Sequence, residues 1–380
     1  MKRVFVASDN IFTPLGFTTQ ANLRSIIAGE TGIKLHEDID LSPEPFWASV
    51  IETDRLNEAF TSMGNVHDFT RLEKMLICSV ADALTGLNID IAGERTLMIL
   101  STTKGSIDLL DTRYRNGFDA KRVYLWETAR VLQRYFGMFN KPLVVSNACI
   151  SGLLAIIIAS RLIRNGSYDH IIVTGADLVT EFVLSGFKSF QSLCQGVCKP
   201  FDINRQGLSL GEAAGTVILS ATEEEIVNES LVFAGAGFSS NDANHISGPS
   251  RTGEGLLIAI TRTLQNSGLS VDHVSAHGTA TPYNDEMEAI ALNRAGLNNV
   301  PVNSMKGYWG HTLGAAGIIE SVACIHSLKN NLLIKTMGFE TIGVTQPIAV
   351  INNTCKSMLQ SCLKIASGFG GCNASLLFHK

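Results

Sequence analysis

The chain has 380 residues, 45% of them apolar and 17% charged, so it can bury a large core and is not a disordered or charge-extended protein. A net charge of −5 with no long basic run argues against nucleic acid as a partner. At roughly 100–200 residues per domain, the length suggests about two to three structural units.

The longest apolar run, Leu153 to Ala159, is seven residues and is followed by Arg161, far short of the roughly 20 that span a bilayer. The first segment, Val4-Phe5-Val6, reaches Ser8-Asp9-Asn10 too soon for a signal peptide. Eight cysteines are too sparse for a disulfide scaffold, and Cys78 and Cys324 lie in apolar surroundings. Both features fit a reducing cytoplasm.

In chain order, strand-like and helix-like segments alternate, which predicts an α/β protein. Lys2–Ala7 reads as a strand, and Leu97–Ser101 as another before the polar turn Thr102 to Gly105. Tyr124–Phe139 carries a helical pattern through Leu125, Ala129, Val131, Leu132 and Tyr135. Pro142–Ser146 is a short buried strand that runs into Asn147-Ala148-Cys149. A helix then extends from Ser151 to Arg164 and is stopped by Asn165-Gly166. Ile171–Thr174 is the next strand.

Two stretches echo one another. Cys149, a small-residue helix, Arg164 and Asn165-Gly166 have a counterpart in His311, a helix through Ser327 and Lys329-Asn330-Asn331. Gly207–Ser220 and Gly368–Phe378 each place a glycine-bearing turn before a final strand. These echoes predict two similar halves, residues 1–221 with the cysteine and 229–380 with two histidines, joined by the charged stretch Ala221–Glu229.

Four places could carry chemistry. Cys149 ends a strand and opens a helix, where free N–H groups and the dipole favour a thiolate; the plainer reading is a small core cysteine. His277 ends a strand in Val274-Ser-Ala-His-Gly-Thr-Ala-Thr, at the edge where α/β proteins place their sites. Asp285, Glu286 and Glu288 then open a helix, as first-turn acids do for the dipole alone. His311 follows Lys306 by five residues in a glycine-rich loop, which is either an electrostatic cluster or simply a close helix contact with a solvated lysine. Gly368-Phe369-Gly370-Gly371 could offer a backbone N–H to an oxyanion, or be an ordinary hairpin turn. Cys194 and Cys198 have no second pair at metal-ligand spacing, so no metal site is expected, and no phosphate-binding glycine loop is present.

Taken together these segments resemble the β-ketoacyl-acyl-carrier-protein synthases, the condensing enzymes of the thiolase superfamily. Asn147-Ala-Cys149-Ile-Ser-Gly is similar to the family's nucleophile elbow. Pro200-Phe-Asp202, Arg205 and Gly211-Glu212-Ala-Ala-Gly are similar to its next signature, and Asn241-Asp242-Ala-Asn-His245 to its Asp-Ala-x-His stretch. His277-Gly-Thr-Ala-Thr-Pro-x-Asn-Asp285 with Glu288, Lys306 with His311 and Glu320, and Gly368-Phe-Gly-Gly-x-Asn373 are similar to the remaining blocks. The likeness covers about residues 145–220, 236–250, 275–320 and 365–378. It is thinnest over 36–140, where Thr102-Thr-Lys-Gly105 replaces the usual glycine-rich turn.

The resemblance implies a thiolase-like five-layer αβαβα fold of two similar halves and a Cys-His-His site of the elongating type. It implies that Cys149 takes an acyl group from a carrier protein, and that His277 and His311 stabilise the enolate formed when malonyl carrier protein loses CO₂. Lys306 is grouped with these catalytic residues. Glu320, Asp285 and Glu288 support them, Phe369 supplies an oxyanion N–H and a gate, and Thr279 and Thr281 hold the phosphopantetheine arm. No cofactor of its own is implied, because phosphopantetheine arrives on the acyl carrier protein. The expected partners are that carrier protein and a second copy or a related synthase subunit. Two other readings are a non-catalytic subunit that sets chain length, which Cys149 argues against, and a thiolase-type enzyme on coenzyme A esters. Cys372 follows rather than precedes Gly370-Gly371, against the thiolase pattern.

Overall fold

The computed structural model describes residues 3–115, 117–223 and 231–380. Lys2 of the first expected strand and most of the expected linker lie outside the described residues. The first half contributes strands β1 (Phe5–Phe12), β2 (Thr96–Ser101), β3 (Leu143–Val145), β4 (His170–Asp177) and β5 (Ala213–Ser220). The second contributes β6 (Phe233–Asn241), β7 (His273–Ser275), β8 (Pro301–Asn303), β9 (Ser361–Gly368) and β10 (Cys372–His379).

From the centre outward the order is β1-β5-β4-β2-β3 in one half and β6-β10-β9-β7-β8 in the other, with the short strand Ala349–Val350 beyond β8. Each half runs through two antiparallel and then two parallel pairings. Within each half the strands therefore correspond one to one, β1 with β6 through β5 with β10. The halves meet where β1 touches β6, at Phe5 and Phe233.

Seven helices position the layers: α1 (Arg71–Leu84), α2 (Leu125–Tyr135), α3 (Ser151–Arg164), α4 (Glu181–Ser189), α5 (Glu254–Ser267), α6 (Pro282–Arg294) and α7 (Ala316–Asn330). Alternation along the strands sorts the side chains between layers. In β2, Leu97 and Ile99 join the central core with α3 and α7, whereas Met98 and Leu100 face Met75, Leu76 and Val80 of α1. In β9, Cys362 and Ala366 turn to the central core while Leu363 and Ile365 meet Leu256 and Ile260 of α5 and Met287 and Leu292 of α6. The result is helix, sheet, helix, sheet, helix: the expected five layers.

The two central helices approach closely at their first turns. A Cβ on Gly152 would lie 2.8 Å from Gly314 O, and one on Gly317 would collide with Leu153 N. Only glycine fits either place, which is why both helices open with small residues.

Element boundaries shift from the sequence expectation for identifiable reasons. The first strand runs on through Ser8-Asp9-Asn10 to Phe12, because two of these polar side chains are paired inside: Asn10 donates to Asp82 at 2.6 Å and Asp9 meets His326 at 2.9 Å. The helix expected to reach Phe139 stops at Tyr135, where Gly137 takes a left-handed turn. The strand expected over Ile171–Thr174 extends to a buried Asp177.

Candidate active site

The site gathers at the ends of corresponding strands. Cys149 follows β3 and His311 follows its counterpart β8; His277 follows β7, and Phe369 lies in the turn between β9 and β10. The elbow before Cys149 is strained: Ala148 has φ 43°, a conformation that costs a non-glycine residue about 1–3 kcal/mol. Ser151 holds it, its Oγ donating to Ala148 O at 2.6 Å and accepting from Asn147 N at 2.7 Å. Helix α3 opens without a side-chain cap, so its first N–H groups remain directed at the cysteine end.

The reactive side-chain atoms of Cys149, His277 and His311 lie within 4.8 Å of one another, and all three residues are buried. The imidazoles meet edge to face with centroids 5.1 Å apart. Neither ring nitrogen of His311 has a hydrogen-bond partner among the described residues. Its backbone is clamped instead: His311 N donates to Ser209 O at 2.7 Å, and Gly211 N donates to His311 O at 3.1 Å. The ring also rests edge-on against Phe187. A buried imidazole with free nitrogens is ready to bond something that enters the cavity.

The His277 loop is held from behind by the two acids that the sequence offered as dipole partners. Glu288 accepts from His277 N at 2.7 Å and Gly278 N at 2.6 Å. Asp285 accepts from Thr279 N at 3.0 Å, Ala280 N at 3.2 Å and Phe201 N at 2.7 Å. Both carboxyls are buried, and burial pushes Asp285 up to about 6 and Glu288 to about 7, with repulsion from Asp285 adding to the latter. The hydroxyls of Thr279 and Thr281 pair at 2.8 Å on the cavity wall.

Lys306 is fully buried, not solvated, and lies behind His277 rather than in the cavity wall. Its Nζ is 3.4 Å from His277 Nδ1 and donates to Glu320 Oε1 at 2.6 Å. Glu320 is held below the usual carboxylate range by Lys306 and Lys364, against the effect of burial. Burial first, and Lys306 next, push both histidines well below 6.5, so both rings are neutral at pH 7.

Cys149 departs from the expected bias. Burial pushes its thiol up, and Lys306, Lys104 and the Phe369 N–H recover only part of that, so the helix start does not leave a resting thiolate. Phe369 lies in a hairpin turn that is also part of the site, stacked on Phe187 at 5.6 Å and against Phe190 at 5.1 Å. These residues line a cavity of about 480 Å³ that also includes Asp242 and His245. The Cys-His-His donors are close enough to ligate one cation, but the two buried lysines behind them make the surroundings hostile to it.

Two residues went unnoticed in the sequence. Asp177, at the end of β4, accepts from Thr102 Oγ1 at 2.9 Å, Thr103 N at 2.9 Å and Gly314 N at 2.7 Å, tying the substituted 102–105 turn to the His311 segment. Lys364, in β9, is a second fully buried lysine and lies 2.7 Å from Glu320 Oε2.

A doubled α/β sandwich with a Cys-His-His cavity at the strand ends is a thiolase-like fold. Residues 1–225 match the beta-ketoacyl synthase N-terminal domain and residues 231–340 the beta-ketoacyl synthase C-terminal domain, and the chain belongs to that family. It is 27% identical to the mitochondrial 3-oxoacyl-[acyl-carrier-protein] synthase of Arabidopsis thaliana, over 99% of this chain and 93% of that one. It is 25% identical to 3-oxoacyl-[acyl-carrier-protein] synthase 2 of Vibrio cholerae, over 100% and 99%. Among solved structures it is similar to the ketosynthase ApeO, in complex with its chain length factor ApeC, from Xenorhabdus doucetiae. That match has a TM-score of 0.84 and 25% identity, covering 100% of this chain and 98% of that one.

Proposed function

We propose that the chain catalyses decarboxylative Claisen condensation: an acyl group held on Cys149 is joined to malonyl-acyl-carrier protein to give a 3-oxoacyl-acyl-carrier protein. The observation that supports this most is one buried thiol facing two neutral imidazoles in a single cavity, one of them with both nitrogens unpartnered.

The thiol gives its proton to a neutral imidazole and its sulfur attacks the acyl thioester carbonyl. The N–H groups of Cys149 and Phe369 receive the oxyanion, a contribution of about 3–4 kcal/mol per donor. The carrier's thiol leaves with the proton. Malonyl carrier protein then enters, its carboxylate–carbon bond breaks to release CO₂, and each imidazole donates one N–H to the enolate oxygen. The new carbanion attacks the acyl carbon and expels the Cys149 thiolate, which takes one proton from solvent to restore the thiol. Lys306, Glu320, Asp285 and Glu288 orient the histidines. Thr279 and Thr281 bond the phosphopantetheine arm, and Phe369 moves aside as a gate when the acyl group is loaded.

The acyl chain runs along α4 toward a second, larger cavity of about 720 Å³, where Ile107, Leu110, Phe182 and Gly186 offer apolar wall beside the charged Arg71 and Glu212. Likeness to a ketosynthase with a chain length factor supports pairing with a second copy or a related subunit. Eight free cysteines fit a reducing compartment, cytosol or mitochondrial matrix, and no described helix is long and apolar enough to cross a membrane. Coupled release of CO₂ and formation of 3-oxoacyl carrier protein tests the reading. The wild type forms both, and His311→Ala lowers the rate by about 100-fold or more. A protein that forms neither product with any acyl donor contradicts it.

A further inference from the structure

Lys364 faces the central layer from β9, on the same side as Cys362 and Ala366, where a core residue is expected. A lysine there is costly unless it is fully paired. Its ammonium donates to Ser275 O at 3.3 Å, Ala276 O at 2.9 Å and Ile365 O at 2.8 Å. The first two carbonyls belong to the residues immediately before His277. The same ammonium is 2.7 Å from Glu320 Oε2, while Oε1 of that carboxylate holds Lys306. One carboxylate therefore serves two buried cations, and the trio carries one surplus positive charge. A single lysine would have balanced Glu320; the second does not.

Glu288 also feels this charge, which draws its carboxyl down against burial, but the titratable groups that act on the His277 ring are Lys306, His311 and Lys364. Glu288 and Asp285 are occupied by backbone N–H groups of residues 277–280, with Arg205 3.9 Å from Asp285. His311 and Cys149 face the ring from across the cavity. Around Lys364 itself lie His273, Cys324 and Cys362, with Cys362 Sγ 3.4 Å from His273 Nδ1. The cation acts against protonation of His273, His277 and His311, whereas the cations that act on Cys149 are Lys306 and Lys104. Lys306 thus acts on both the thiol and the histidines, and Lys104 on the thiol and His311, whereas Lys364 acts on the histidines and not on the thiol.

We propose that Lys364 is a positioning residue for decarboxylation: it fixes the two carbonyls that aim His277 and leaves the Lys306–Glu320–Lys364 trio with a positive charge that favours the enolate. The inference rests on the condensation reading above. The enolate is anionic and is held by imidazoles that Lys364 influences; the acylation oxyanion has its own N–H donors beside Cys149.

The test is Lys364→Met, with malonyl-carrier-protein decarboxylation and acyl transfer to Cys149 measured separately from acid to neutral pH. The expected result is that the acid limb of decarboxylation moves up by about one pH unit, and that decarboxylation slows roughly tenfold more than acylation. Glu320→Gln combined with Lys364→Met leaves Lys306 as the one surplus charge, so its acid limb returns toward the wild-type position. If Lys364→Met does not fold, Lys364→Gln, which keeps a donor for the carbonyls, carries the same comparison. An acid limb that stays in place while both half-reactions fall together shows a purely structural lysine and overturns the inference. A wild type without decarboxylation defeats the condensation reading itself; an active wild type indifferent to Lys364 defeats only this inference.

Discussion

Buried titratable residues around the cavity pull stability in opposite directions. His277 and His311 lie well below 6.5 in the folded chain and His273 at about 4, so near and below pH 6.5 the unfolded chain binds more protons and acid removes stability. Asp285 at about 6 and Glu288 at about 7 have the reverse sign: their folded form takes up protons first, and acid adds stability as pH falls from 7 toward 4.5. Glu288→Gln removes one opposing contribution, so its stability should fall more steeply than the wild type's over that range. The difference is up to about 1.4 kcal/mol per pH unit, read from denaturant midpoints against pH. Parallel curves for the two proteins would show that Glu288 is ionised like an ordinary surface acid.

At the scale of elements, the close contact of α3 with α7 fixes Cys149 relative to His311. Gly317→Ala forces a methyl against the Leu153 backbone and should cost about 1–3 kcal/mol in thermal or denaturant unfolding. Helix α4 offers the opposite case. Gly186 has open space beside it on the wall of the larger cavity, so Gly186→Trp should leave stability unchanged and shift acyl preference toward shorter chains in a competition assay. An unchanged preference would remove that cavity from the acyl path.

Helix α3 was legible residue for residue, because its apolar positions, small opening and Asn165-Gly166 stop all agree. Polar residues inside strands were not: Asp9, Asn10 and Asp177 lie beyond the stretches expected as strands, yet they are paired with partners distant in sequence. Lys364 did leave a trace. In Cys362-Leu-Lys-Ile-Ala366 the two-residue period places it among core-facing positions, a conflict that marks a functional or strained site. The three reactive residues were visible through their motifs, whereas the neutral imidazoles and protonated thiol depend on burial that only the fold creates.

Across the whole molecule, the matching strand orders place Cys149 and His311 at corresponding strand ends, so the site belongs to neither half alone. Strand β3 ends the sheet on one side, with Leu143 43% exposed and Trp126 and Phe139 also exposed. An unprotected apolar edge invites pairing with another chain. Leu143→Asp should therefore convert a sedimenting dimer to monomer; a wild type that is already monomeric at micromolar concentration would contradict that pairing. The proposed condensation requires that Cys149 carry the acyl group. Intact-mass spectrometry after incubation with a panel of acyl-carrier-protein thioesters tests it most directly. The expected result is one acyl adduct on the wild type and none on Cys149→Ala; an adduct that persists in that variant, or none on the wild type with any acyl donor, would contradict that role.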